Sequence, residues 1–300
     1  FAVRSGVAQG SPLSPLLYIA AAQPLAAALR RLVTTGRVAP ISLHGGVVAP
    51  VCHQHADDTC LHTATVGDAQ TAVSEAVAPY CRASGSALNL GKSEGLTLGA
   101  HPPLQGKHPG TGITFRGPAE TVRHLGVLLT KGRREAAAAK MWQKCVGTVA
   151  ARVRHWAALD LSLHGRVHVA KAVMAAVVVH VASFVAAPEA QRRAMAALID
   201  GYVLGRPQDP ATDDRPEYGR PPKAAMWLPR EEGGLGLPNV DHQATALLAK
   251  TAARMLHPHR RLWKDLDRAR MERALPGVGA AAVVSRLKPW PARAALPRRL

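Results

Sequence analysis

The sequence predicts an α+β fold: short strands and helices up to about residue 130, then a largely helical remainder. Three observations predict it. The 300 residues are 47% hydrophobic and 19% charged, a globular composition long enough to bury a sizeable core. Before residue 130, short strand-like runs alternate with helical ones. Beyond Lys131, long Ala-rich stretches studded with Arg and Lys take over. The natural divisions are residues 1–130, 131–205, and a Pro-rich connector with a C-terminal helical region over 206–300.

In chain order, Ser11-Pro12 is a helix start, a hydroxyl cap followed by proline in the first turn. The segment from Pro12 to about Leu32 is apolar around most of its circumference and predicts a largely buried helix. Strand-like runs from Val47-Val48 onward and over Thr59 to Thr63 flank Ala56-Asp57-Asp58, which reads as a hairpin turn. A helix follows from Asp68, with Ala69, Ala72, Val73, Ala76, Val77 and Tyr80 on one face, and Pro79 kinks or shortens it. Short strands are expected at Gly95 to Leu98, Gly112 to Phe115 and Val122 to Leu129. Helices are expected over Arg134 to Leu159, Leu163 to Ala187, Pro188 to Leu204 and from near Asp241, with Arg206 to Pro222 as connector.

Charge narrows the partners. There are 38 Lys+Arg against 20 Asp+Glu, a net +18, and the pI is near 10.7. Such an excess points to a polyanion, because basic side chains on phosphates release condensed counterions. The four cysteines form neither a zinc spacing nor a disulfide framework, so an intracellular setting is expected, nucleus or cytoplasm undecided. The chain opens on Phe1 without a basic-then-apolar leader. Its most apolar run, Val167 to Ala187, holds Lys171 and His180, so a buried helix is expected and no membrane span.

Two adjacent carboxylates at a hairpin tip repel one another unless something positive sits beside them. A divalent cation relieves that repulsion, and hard oxygen ligands suit Mg²⁺. An isolated Asp-Asp pair is more often plain turn chemistry. His53, His55, His62 and Cys60 crowd the same hairpin and offer a competing transition-metal site, although tetrahedral zinc spacing cannot be assembled from them.

Six segments, in one order, resemble reverse transcriptases of LINE-type non-LTR retrotransposons. Ser5-Gly6-Val7-Ala8-Gln9-Gly10-Ser11-Pro12-Leu13-Ser14-Pro15 matches their Gly-Val-x-Gln-Gly-x-Pro-Leu-Ser-Pro signature. His55-Ala56-Asp57-Asp58-Thr59 matches the aromatic-Ala-Asp-Asp turn, and Leu88-Asn89-Leu90-Gly91-Lys92-Ser93-Glu94 the Leu-Asn-x-x-Lys-Ser/Thr-Glu stretch. Val122-Arg123-His124-Leu125-Gly126-Val127 matches the strand written aromatic-Leu-Gly. Trp156 with Leu161-Ser162-Leu163-His164-Gly165-Arg166 matches Trp…Leu-Ser-x-x-Gly-Arg, and Leu228 to Leu237 the Pro-x-x-x-Gly-Gly-Leu-Gly pattern.

The resemblance implies an RNA-directed DNA polymerase using Mg²⁺ (or Mn²⁺), with RNA template, DNA primer and dNTP as partners. Its fold would be a partial palm, an antiparallel sheet with helices, then a helical thumb and connector. Asp57 and Asp58 would be metal carboxylates, and Lys92 would offset charge near the triphosphate. Gln9, Gly10, Ser11 and Pro12 would shape the nucleotide and template surface, and Leu125 and Gly126 would belong to a strand gripping the primer end. Arg123 and Arg166 are the candidates for phosphate contact. His55 stands where the family usually has Tyr or Phe, Ala8 replaces an often basic residue, and Gly91 is a flexible neighbour for Lys92. The family's other catalytic aspartate and its fingers lie upstream of the Gln-Gly loop, so an upstream part of the same polyprotein is expected. This stretch alone is expected to be inactive. A non-catalytic nucleic-acid-binding remnant and a metal-binding hairpin are the alternatives.

Overall fold

The computed structural model describes residues 6–8, 10–43, 46–132, 134–205, 222–256 and 264–265. It is a mixed α+β structure of helices and small sheets in two compact units. One takes in the described residues up to Gly95 together with Gln105–Phe115; the other takes in Leu96–Leu104 and Arg116–Leu256.

In the first unit, α1 (Ser14–Thr34) starts later than Ser11-Pro12 implies. Pro15 occupies the first turn, while Ser11 Oγ accepts a hydrogen bond from the Leu13 amide at 3.4 Å ahead of the helix. Nor is α1 largely buried. Leu25, Leu29 and Leu32 enter the core with Val38, Val51, Ala72, Ala76 and Val77, but Leu16 and Ile19 are 64% and 61% exposed. An apolar circumference identifies a helix able to be buried; among the described residues the leucines of its C-terminal turns are the ones that enter the core.

Strands β1 (Cys52–His55) and β2 (Asp58–Leu61) form an antiparallel hairpin. Val48, expected in the first strand, only bridges Ser42. The next helical run is α2 (Val66–Ala72), a π-helical turn (Val73–Val77) and α3 (Ala78–Ser84). Thr65 caps it in a reciprocal box with Asp68. Pro79 has no N–H to give to an earlier carbonyl, and just before it the Ala78 amide reaches back five residues to Val73. Strands β3 (Glu94–Gly95), β4 (Gly106–Lys107) and β5 (Thr114–Phe115) make a small sheet, β3 parallel and β4 antiparallel to β5.

In the second unit, the strand expected over Val122 to Leu129 is a hairpin of β6 (Val122–His124) and β7 (Val127–Leu129), with Leu125-Gly126 as its loop. The described strands therefore form three separate small sheets, not one antiparallel sheet. α4 (Arg134–Ala157) buries Met141, Trp142, Cys145, Val149 and Val153 along one face. α5 (Leu163–Val169) runs into a π turn (Ala170–Met174), a 3-10 turn (Ala175–Val178) and α6 (Val179–Ala182). α7 (Glu189–Val203) adds Met195, Ile199, Tyr202 and Val203 to the same core.

α8 (Lys223–Trp227), a 3-10 turn (Arg230–Glu232) and α9 (Val240–Leu256) complete the described chain apart from Lys264–Asp265; the expected connector at 206–221 lies outside the described residues. The Gly-Gly-Leu-Gly stretch folds back on α8. Leu235 and Leu237 amides donate to Ala225 and Met226 carbonyls at 3.2 and 2.8 Å, so closely that a Cβ on Gly234 would lie 2.1 Å from the Leu228 carbonyl oxygen. Two helices, Ser14–Thr34 and Leu163–Ala182, are long and apolar enough by length and composition to cross a membrane. The second places Val167, Ala170, Met174 and Val178 inside the protein core, with a third of its apolar window buried.

Candidate functional site

Asp57 stands at the tip of the β1–β2 hairpin. The register pairs His55 with Asp58, leaving Ala56 and Asp57 as a two-residue loop. Ala56 adopts φ 51°, in the left-handed region, where a Cβ crowds the following carbonyl. Alternation along the strands sends Cys52 and Leu61 to the core and aligns His53, His55, Asp58, Cys60 and His62 on the other face. Asp57 and Asp58 are both exposed, and among the described residues neither forms an ion pair. The Tyr18 phenol on α1 is pushed above its ordinary range, first by burial, then by Tyr80 and by the charge of Asp57. Asp57 thus lies within electrostatic reach of α1, whose Ala21 carbonyl accepts from the Tyr80 hydroxyl at 3.1 Å.

The histidine-rich side has its own order. His62 Nδ1 lies 2.9 Å from the Pro50 carbonyl, which can only accept, so the proton sits on Nδ1. Nε2 lies 3.4 Å from Cys60 Sγ, and burial pushes that thiol above its ordinary range. His53 meets His62 edge to face, ring centroids 4.9 Å apart. Among the described residues, no three His, Cys, Asp or Glu side chains are grouped to hold an ion. For Mg²⁺ the Asp57 and Asp58 oxygens are donors of the right kind. Among the described residues the hairpin supplies no third carboxylate.

No family model matches this chain.

Lys92 is exposed on a turn organised by Asn89. The Lys92 amide donates to both the Asn89 carbonyl and Oδ1 at 3.1 Å, and the Ser93 hydroxyl donates to the same carbonyl at 2.8 Å. Gly10 has φ 87° and begins the bend that leads through Ser11 and Pro12 into α1; Gln9 lies outside the described residues. Gly10, Ser11, Pro12, Asp57, Asp58 and Lys92 all belong to the first unit.

Leu125, Gly126, Arg123 and Arg166 belong to the second. Leu125 and Gly126 have φ 45° and 84°, so both loop residues of the β6–β7 hairpin are left-handed, the type I′ pattern that favours Asn-Gly over Leu-Gly. Arg123 is exposed on β6. Arg166 turns inward: its guanidinium lies where a Cβ on Gly205 would come within 2.6 Å of it, just past the end of α7, and its Nε is buried without a partner. A cation there meets the negative end of the helix dipole, a structural use of the charge.

Two features escaped the sequence reading. Lys144, Thr148, Arg152 and His155 line a shallow groove along α4 with Gly147 and Ala151; their spacing of four, four and three was the signal available. His180 bonds the Leu125 carbonyl, and no local pattern announces a partner 55 residues away.

Proposed function

We propose that this chain takes part in RNA-directed DNA synthesis, as part of a reverse transcriptase of a LINE-type retroelement, with a polymerase palm contributed by its first 130 residues. The observation that carries the reading is the β1–β2 tip: two exposed adjacent carboxylates, Asp57 on the two-residue loop after a left-handed Ala56 and Asp58 at the start of β2. Backbone strain of this kind persists at sites where a side chain must be presented in one direction. Asp57 and Asp58 would hold Mg²⁺ or Mn²⁺, which when bound offsets triphosphate charge and aligns the displacement. Lys92 would bring an ammonium to the same phosphates. The net charge of +18 and the Lys144–His155 groove support binding of template and primer.

A second reading has its own observation. No Asp or Glu occurs among residues 1–56, so these 300 residues hold no carboxylate upstream of Asp57 to complete its shell. On that reading the chain binds nucleic acid without extending a primer. The two are separated on a primed RNA template with Mg²⁺. The chain alone is expected to bind and to extend at background rate. Joined to the segment preceding the Gln-Gly loop in an intact element, it is expected to synthesise DNA. Asp57→Asn should then lower the rate by about two to three orders of magnitude, the scale of losing one charge-stabilising group, with binding retained. Rescued synthesis that survives Asp57→Asn overturns the polymerase reading. Robust extension by the chain alone overturns the second reading and the expected need for a carboxylate from upstream.

A further inference from the structure

The face of the β1–β2 hairpin turned away from the core carries chemistry that the two aspartates do not use. Cys60 and His62 stand two apart on that face, and the register sets His53 directly across from Cys60. His62 follows β2 and is tied back twice: its amide donates to the Val51 carbonyl at 2.8 Å, and its Nδ1 lies 2.9 Å from the Pro50 carbonyl. A carbonyl only accepts, so in the neutral ring Nδ1 carries the proton and Nε2 presents a lone pair. Nε2 lies 3.4 Å from Cys60 Sγ. The His53 ring closes one side, edge to face with the His62 ring at 4.9 Å.

That spacing suits a shared ion. Zinc binds thiolate sulfur at about 2.3 Å and imidazole nitrogen at about 2.0 Å, and a tetrahedral angle between them sets the two donors about 3.5 Å apart. A ring whose other N–H is held by a backbone carbonyl is the outer arrangement that orients metal-bound imidazoles. Cys60 and His62 are both half-buried. Burial pushes the Cys60 thiol above its ordinary range, so a lone thiolate is disfavoured there and a cation beside it removes the cost. Cys52, the other cysteine of the hairpin, packs against the core, which leaves Cys60 as the thiol of this face. Sulfur and imidazole suit zinc-like ions, whereas the Asp57 and Asp58 oxygens suit Mg²⁺.

We propose that Cys60 and His62 form a binding site for a zinc-like divalent ion, separate in its chemistry from the acidic tip of the same hairpin. Cys60 releases its proton to solvent as Sγ bonds the ion, and His62 Nε2 is the second donor. Among the described residues no third His, Cys, Asp or Glu is grouped with them, so water fills the remaining positions and the ion exchanges. The inference does not rest on the polymerase reading.

The test uses the whole 300-residue chain with its thiols reduced, and Co²⁺ as a spectroscopic stand-in for zinc. The unaltered chain should develop a near-ultraviolet thiolate-to-cobalt charge-transfer band, which Zn²⁺ bleaches and an excess of Mg²⁺ leaves in place. Cys60→Ser should abolish the band while its metal-free circular dichroism matches that of the unaltered chain, and Cys81→Ser should keep the band. His62→Gln retains every cysteine, so it keeps the test decisive if Cys60→Ser does not fold. It should weaken cobalt binding at least about tenfold, since losing even an outer partner of a metal ligand costs about 10- to 100-fold. The inference is overturned by the absence of a band in the unaltered chain, by a band that survives Cys60→Ser or yields to Mg²⁺, or by an unchanged cobalt affinity in His62→Gln. None of these outcomes bears on primer extension, so the polymerase reading stands or falls separately.

Discussion

Ala56 and Leu125 are the only non-glycine residues with positive φ among those described, and each sits at the tip of a hairpin whose motif resembles a polymerase element. Left-handed alanine costs about 1–2 kcal/mol, of which glycine's greater unfolded-chain entropy returns about 0.5–1 kcal/mol. Ala56→Gly is therefore expected to stabilise the fold by about 0.5–1 kcal/mol and raise the thermal midpoint by a few degrees, read by calorimetry. A drop in the midpoint would mean that the alanine methyl has a packing role outweighing its strain. The two tips differed in legibility. Asp57-Asp58 could be read as a turn because aspartate hydrogen-bonds its own backbone there and short apolar runs flank it. Leu125-Gly126 read as strand because leucine resists the left-handed region, and the histidine that offsets this lies on a distant helix. Arg166, a candidate for phosphate contact by its charge, lies beside the C-terminus of α7, where a cation meets the negative end of the helix dipole.

Among the elements, the long helices were legible throughout, whereas most strands were located but not their bounds, for reasons of length. α4, α7 and α9 each run for four turns or more, enough for the 3.6-residue period to register. β3, β4 and β5 are two residues each, too short for alternation, and Gly106–Lys107 went unread as a strand. The helix after the acidic hairpin was found at its apolar face and misplaced at its start, because the cap lies one turn earlier. There the Thr65 hydroxyl accepts from the Asp68 amide at 3.0 Å while Asp68 Oδ2 accepts from the Thr65 amide at 3.0 Å. Asp68 Oδ1 also accepts from the Ala39 amide at 3.1 Å, tying the cap to the turn after α1. Thr65→Ala should cost about 1 kcal/mol, measured by urea unfolding with unchanged m-value, and Thr65→Ser should recover most of it. Equal loss in both variants would assign the effect to the threonine methyl and not to the cap.

For the whole molecule, the class α+β was legible from the change of pattern near residue 130, whereas among the described residues the strands do not join in a single antiparallel sheet: β3 pairs parallel with β5 and two hairpins stand apart. A net charge of +18 makes one prediction independent of any site. Affinity for an RNA–DNA hybrid should fall with salt on a log–log slope near −0.9 for each phosphate neutralised, hence about −4.5 or steeper for five or more contacts. A flat dependence would mean the basic excess lies away from the bound strand. The parallel pairing has one more consequence, for the order in which the chain becomes complete. Gly95 leaves the ribosome before its partner Phe115, and in between the chain contributes Leu96–Leu104 to the other unit. The first unit therefore cannot close its small sheet as an autonomous N-terminal domain would. For those residues its strand edge waits unpaired, the stage at which a nascent chain is most open to mispairing.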